Sequence, residues 1–377
     1  MNKVLKLLSD FGQSIWYDNI SRALVTSGEL RRLADEGLLG MTSNPTIFDK
    51  AISGSTDYDA QLRDVLKSKP GLATAEVIQA LMVKDIQMAA DVLRPVFDRT
   101  EGLDGYVSVE VTPSKARDTA ATIAEVGQLV GMIDRKNLMV KIPATVEGLP
   151  AITKSIAEGY NINVTLIFSL QRYREVAAAY LAGLESRAKE GKPIEGIASV
   201  ASVFVSRIDT LVDDLLKKRI EEIEDPTAYA RLSGLQGKVA VANTKMIYQS
   251  FKDIFESPRF AALKAKGARV QRPLWGSTGT KNPSYSDLLY VETLIGPLTV
   301  NTVPPATYTA IIDHCRPAYS LESDLEGARR TLRNLADSGI DIDAVTRKLE
   351  EEGVAAFEKS FDALYKNLES KKGSLHA

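Results

Sequence analysis

Short runs rich in β-branched and aromatic residues alternate with helix-length amphipathic stretches roughly eight times along this 377-residue chain. A repeated strand–helix order puts successive strands parallel, and about eight such units favour closure into a (β/α)8 TIM barrel. An open doubly wound sheet is the other architecture with this order, but the glycine fingerprint of dinucleotide-binding sheets is absent. Strands are expected at 14–19, 38–44, 105–111, 137–145, 161–168, 199–206, 270–277 and 298–301. Helices are expected at 28–36, with Ser27 as N-cap and Gly37 as the stop, and at 56–67, 74–99, 148–158 and 169–190, the last capped by Ser169. Thr112-Pro113 offers an N-cap and an N1 proline for the helix that precedes the fourth strand. Residues 208–268 read as a long helical region with breaks near Asp225-Pro226 and Ser233-Gly234, and 287–295 as a short helix. A charged helical extension over about 320–377 is expected to pack on the barrel, making 1–377 a single domain.

The fourth strand carries the chemistry. In Asn137-Leu-Met-Val-Lys-Ile-Pro-Ala-Thr145, side chains alternate faces, so Leu138, Val140 and Ile142 share one and Met139 and Lys141 the other. An ammonium on a buried face costs several kcal/mol unless it is paired or loses its proton. A deprotonated lysine is a nucleophilic amine that forms Schiff bases with carbonyl substrates. The plain alternative is a surface strand whose lysine faces water.

The other strands weigh against that alternative. Both faces of a buried parallel strand are expected to be apolar. Asp18, Asn44, Glu110, Lys141, Asn163, Thr165 and Ser202 break that rule at or near the C-terminal ends of their strands. In a barrel this end carries the active site. Arg207, in the first turn of a helix, and the loop from Ser277 to Lys281 suit an anion such as phosphate.

Composition narrows the chemistry. Only two histidines, His314 and His376, and one cysteine, Cys315, are present. That argues against a disulfide framework, a Cys-rich zinc site or a His-rich metal site, and adjacent His314-Cys315 side chains point apart. An amine, two carboxylates and several amides and hydroxyls lean toward Schiff-base chemistry with carboxylate proton transfer on a polyhydroxylated substrate. The net charge of −2 gives no reason to expect nucleic acid or an anionic membrane as partner. With no signal peptide in view and apolar runs too short to span a bilayer, a cytoplasmic location is expected.

Five motifs, in order, resemble the transaldolase family: Met41-Thr-Ser-Asn-Pro-Thr46, Val107-Ser-Val-Glu-Val111, Leu138-Met-Val-Lys-Ile-Pro143, Gly159-Tyr-Asn-Ile-Asn-Val-Thr-Leu-Ile-Phe168 and Ser202-Val-Phe-Val-Ser-Arg207. The match covers essentially residues 10–320, and the C-terminal helices resemble those of the longer bacterial form. The resemblance implies a class I aldolase of the non-oxidative pentose phosphate pathway. Such an enzyme moves a dihydroxyacetone unit reversibly from sedoheptulose 7-phosphate to glyceraldehyde 3-phosphate, giving erythrose 4-phosphate and fructose 6-phosphate, with no metal or organic cofactor. It further implies Lys141 as the Schiff-base lysine and Asp18 as the acid/base at the breaking carbon–carbon bond. Glu110 would act with Thr165 through a water, and Asn44 and Ser202 would hold the dihydroxyacetone hydroxyls, with Asn163 nearby. Arg207 and Ser277 match phosphate-binding positions. Where many members carry an arginine two residues after the loop serine this chain has Gly279, which leaves Lys281 as the second cation. The alternatives are a fructose 6-phosphate aldolase-type lyase and a non-catalytic sugar-phosphate-binding barrel. A homo-oligomer is left open.

Overall fold

Each strand of the barrel hydrogen-bonds in parallel to the next in sequence order, and the last closes on the first. The computed structural model describes residues 1–69 and 71–376, with side chains through Gly373, so the side chain of His376 lies outside the described residues. The strands are β1 Gln13–Asp18, β2 Gly40–Thr42, β3 Val107–Glu110, β4 Leu138–Pro143, β5 Ile162–Ile167, β6 Ser199–Phe204, β7 Arg272–Gly276 and β8 Thr299–Val303. Helices follow the strands and cover the outside, as the alternation predicts.

The period of two along each strand divides the barrel interior into layers. Trp16, Met139, Val200, Leu274 and Val300 form a buried apolar cluster separate from the larger one between barrel and helices. Two residues further along the same strands stand Asp18, Lys141, Ser202, Gly276 and Thr302, which line a cavity at the mouth. An apolar plug therefore underlies a polar floor. The Trp16 indole lies flat against Gly40, where a Cβ would fall 2.5 Å from the ring. Gly40→Ala should overpack this layer and lower stability by about 1–3 kcal/mol, read from the urea midpoint.

Trp16 Nε1 donates to Asp104 Oδ1 at 2.9 Å, and Ser14 Oγ donates to Asp104 Oδ2 at 2.8 Å. Arg272 Nη1 pairs with Asp104 Oδ1 at 3.1 Å, and its Nη2 donates to the Thr299 carbonyl at 2.9 Å. Hydrogen bonds from Ser14, Trp16 and both Arg272 Nη atoms surround this buried ion pair and tie β1, β7, β8 and the loop before β3 together below the plug.

Several expectations need correction. Gly28, with φ +82, caps the Glu29–Glu36 helix, because Ser27 already ends the Arg22–Thr26 helix. The second strand shrinks from 38–44 to Gly40–Thr42, since Asn44 turns out of the sheet to cap an unanticipated helix, Pro45–Ser53. Thr112-Pro113 begins a single 3₁₀ turn. The Thr112 hydroxyl donates to Glu125 at 2.6 Å, and Asp118 caps the following Thr119–Ile133 helix. In the 208–268 region both expected breaks are present and a third falls at Glu256-Ser257, giving four helices, Ser206–Ile220, Pro226–Ser233, Val239–Phe255 and Pro258–Lys264. The last strand runs to Val303, where Pro304 stops it. His314 ends the Pro305–His314 helix between Asp313 and Asp287, and Cys315 is buried beside it.

The C-terminal helix, Ile342–His376, lies against the Pro45–Ser53, Thr74–Arg99 and Ser206–Ile220 helices and reaches β5. Thr46 and Ser360 hydroxyls meet at 2.7 Å, and Arg172 pairs with Glu350 at 3.2 Å. Beneath this helix β5 carries a bulge, with Leu166 at φ +60. A leucine in the left-handed region is strained, and here its side chain packs onto Gly353.

Candidate active site

The mouth cavity has a volume of about 580 Å³. Lys141 rises from its floor on β4. Its side chain is buried, with Nζ donating to the Ser43 carbonyl at 2.9 Å and lying 3.5 Å from Glu110 Oε2. The parallel register sets this up by placing Glu110, Lys141 and Asn163 side by side in one row across β3, β4 and β5. The Glu110–Lys141 contact is long for a hydrogen bond but within the reach of an ion pair. Burial pushes the Glu110 carboxyl up to about 7, with Lys141 opposing that rise. A carboxyl in that range changes protonation near neutral pH, as a group that both gives and takes protons must.

Asp18 stands across the cavity at the end of β1. Burial raises its pKa, and Lys141, the Thr42 hydroxyl and Lys281 each pull it back down. Thr42 donates to Asp18 Oδ1 at 2.7 Å and meets Thr302 Oγ1 at 2.6 Å. A hydroxyl has one proton to give, so Thr302 donates to Thr42 and Thr42 to Asp18. The relay orients the carboxylate, and among the described residues no side chain or backbone group donates to Oδ2.

Asn44 and Ser202 also border the cavity. Asn44 Oδ1 accepts from the Ile47 amide at 3.0 Å, which turns its Nδ2 into the free donor. Ser202 Oγ donates to Asn163 Oδ1 at 2.6 Å, and Asn163 Nδ2 donates to Ser108 at 3.1 Å. Asn163 thus supports Ser202 from below and does not itself line the mouth. Thr165 is buried one step above Asn163 on β5, its hydroxyl unpartnered, and it too lies off the cavity wall. Glu110 reaches the mouth only through Lys141 and borders a separate cavity of about 160 Å³ beneath the C-terminal helix.

Arg207, Ser277 and Lys281 gather on the opposite wall. The Arg207 guanidinium lies over the Phe204 ring, 5.4 Å from its centroid, and burial lowers its pKa. Among the described residues neither Arg207 nor Lys281 has an ion-pair or hydrogen-bond partner for its charged group. Ser277, at φ +53, holds the loop in place through a hydroxyl contact with Ser206 at 3.0 Å. Two unpaired cations on one wall of a cavity are a phosphate-sized electrostatic sink.

Sequence reasoning passed over Thr42, Thr302, Lys50 and Phe357, all of which line the cavity. Thr302 had a readable signal, since Pro304 is the stop that extends β8 past Asn301. Thr42 lies in the Met41–Thr46 motif two residues before Asn44, on the strand face that the alternation turns inward. Phe357 comes from the C-terminal helix, and nothing local marks it.

Among the described residues no cluster of three or more His, Cys, Asp or Glu side chains could hold a metal ion, and no helix is long and apolar enough to cross a membrane.

Comparison with known proteins bears on the family of the chain. The family model for transaldolase/fructose-6-phosphate aldolase matches residues 15–368. A transaldolase of Trichodesmium erythraeum is 48% identical over 367 residues, covering 97% of this chain and 96% of its own length. A transaldolase 2 of a Nostoc species is 48% identical over 375 residues, with 98% of both chains covered. A transaldolase of Thermobifida fusca is 48% identical over 366 residues, with 97% of both covered. With a buried lysine among carboxylates at the mouth of a closed barrel, and a family match over nearly its whole length, the chain belongs to the transaldolase/fructose-6-phosphate aldolase family.

Proposed function

We propose that the protein is a transaldolase that moves a three-carbon dihydroxyacetone unit between sugar phosphates through a Schiff base on Lys141. The observation that carries the reading is Lys141 itself: a buried amine 3.5 Å from a carboxyl poised near neutrality, opening into a cavity with two free cations on its far wall. Sedoheptulose 7-phosphate and fructose 6-phosphate are the proposed donors, glyceraldehyde 3-phosphate and erythrose 4-phosphate the acceptors, and the proposed setting is the cytoplasm.

The proposed steps combine these positions with the roles that the family resemblance implies. Glu110 takes a proton from the Lys141 ammonium, and the freed amine attacks the ketose carbonyl to give a carbinolamine. Glu110, acting with Thr165 through a water, then returns a proton to the departing hydroxyl, so water leaves and an iminium remains. Asp18 takes the proton of the substrate hydroxyl as the carbon–carbon bond breaks. The bonding pair flows into the iminium to give an enamine, and the aldehyde departs. The cationic nitrogen is the electron sink that a metal provides in other aldolases. Asn44 and Ser202 hold the hydroxyls of the retained fragment, while Arg207, Ser277 and Lys281 hold the phosphate. The acceptor aldehyde reverses these steps.

Glu110 has to cycle between acid and carboxylate, so turnover should carry an ionisation near pH 7. Its pKa is raised, so the acid form dominates below that value and is lost as the pH rises through it. The dehydration step should slow on the alkaline side. In Glu110→Gln this limb should vanish from the pH–rate profile. A limb that survives the substitution would assign the ionisation elsewhere.

Lys281→Ala should raise KM for phosphorylated sugars by about tenfold, the range of one charge-assisted contact, and leave unphosphorylated ketoses nearly unaffected. Equal effects on both would remove Lys281 from phosphate binding. Transfer is tested against simple cleavage by supplying fructose 6-phosphate with and without erythrose 4-phosphate. Turnover should depend on the acceptor. Equal aldehyde release without it would favour the lyase named in the same family description.

A further inference from the structure

Outside the barrel mouth, the helices at 226–233, 239–255 and 325–337 enclose a cleft of about 510 Å³. Its walls carry four cations, Arg231, Lys238, Lys245 and Arg330, against one carboxylate, Asp324. Four positive charges less one negative leave a local excess of +3 in a chain whose net charge is −2. The excess is therefore a local concentration and not a sample of a basic surface.

The surroundings do not neutralise it. Asp324 is the one counter-charge, and its Oδ1 also caps the 325–337 helix by accepting from the Gly327 amide at 3.0 Å. Among the described residues the charged groups of Arg231, Lys238 and Arg330 have neither an ion-pair nor a hydrogen-bond partner. Lys245 forms the buried part of the wall, only 7% exposed. Its Nζ donates to the Ser323 carbonyl at 2.6 Å and lies 3.3 Å from Ser323 Oγ, which leaves a third N–H uncommitted. Burial lowers the Lys245 pKa, and Asp324 only partly offsets this. Holding like charges around one hollow costs free energy that a multiply charged anion would return.

The remaining lining indicates what else the anion carries. Thr293, Thr331 and Asn334 offer hydroxyl and amide groups, and among the described residues no aromatic side chain lines the cleft. There is no stacking surface for a nucleobase. We propose that this cleft is a second anion site, distinct from the mouth, which binds a small phosphorylated, hydroxyl-bearing metabolite without an aromatic base.

Calorimetric titration of the full chain with inorganic pyrophosphate tests this, using Arg207→Ala to weaken competing binding at the mouth. One equivalent should bind with Kd below about 1 mM. Adding Lys238→Glu and Arg330→Glu, both exposed positions, should weaken that binding by at least about tenfold. The same two reversals in the otherwise native chain should leave borohydride trapping of the substrate adduct unchanged, which separates this site from the reaction at Lys141. Absence of saturable binding in Arg207→Ala, or binding that survives the reversals, would overturn the proposal. So would an adenine nucleotide that binds more tightly than pyrophosphate through this cleft. Arg231→Glu provides an independent single variant and should weaken binding in the same direction.

Discussion

Lys141→Met is expected to abolish transfer, by at least about 10⁴-fold, because it removes the only nucleophile proposed for the covalent step. Methionine keeps the unbranched shape, so the barrel floor should stay packed. The protein should remain folded, since the ammonium is deleted from a buried site where it is held by the Ser43 carbonyl and the Glu110 and Asp18 carboxyls. What is lost is the bond to the substrate. Incubation with fructose 6-phosphate and borohydride, followed by peptide mapping, should label Lys141 in the native chain and leave the variant unlabelled. A label on another lysine, or turnover that persists in the variant, would sink the mechanism.

The second large effect is expected at Asp18. Asp18→Asn should slow transfer by about 10²–10⁴-fold, the usual range for removing a positioned proton acceptor. It should leave formation of the covalent adduct intact. The amide retains an oxygen to accept from Thr42, so the Thr302–Thr42 relay still orients the side chain. The substrate hydroxyl, however, has nowhere to send its proton when the carbon–carbon bond breaks. The reduced adduct should then keep the mass of the whole ketose, whereas the native chain also accumulates the three-carbon fragment. Loss of adduct formation in Asp18→Asn would place Asp18 in the earlier steps. An undiminished transfer rate would remove it from the reaction.

Much of this site was legible because a strand has a period of two. Lys141 falls on the face opposite Leu138, Val140 and Ile142 whether or not the rest of the fold is known. The same arithmetic found Asp18, Glu110 and Ser202 as polar exceptions among buried strands, and the barrel does bring Asp18, Lys141 and Ser202 to one cavity with Glu110 beside Lys141. It could not separate residues at the cavity surface from those beneath it. Asn163 and Thr165 share the correct face, yet the register tucks Asn163 between Ser108 and Ser202, and Thr165 lies beside the β5 bulge. Helix boundaries were least legible where several capping residues stood together, as at Ser27-Gly28 and Thr112-Pro113, because the winner is chosen by what each side chain can reach in the fold.

By itself the sequence determined the order of strands and helices, the parallel barrel that this order favours, and the buried face on which Lys141 sits. These follow from local periodicity and from the cost of burying charge. Only the tertiary structure decided the partners. The Thr42–Thr302 contact joins residues 260 positions apart, Lys141 meets a carbonyl 98 positions away, and Phe357 reaches the mouth from the last helix. Such contacts depend on barrel closure and strand register, which set distances between segments that no local pattern encodes. The cleft of Arg231, Lys238, Lys245 and Arg330 belongs to the same class. Each residue reads as an ordinary surface cation along the chain, and only the packing of three helices concentrates the charge.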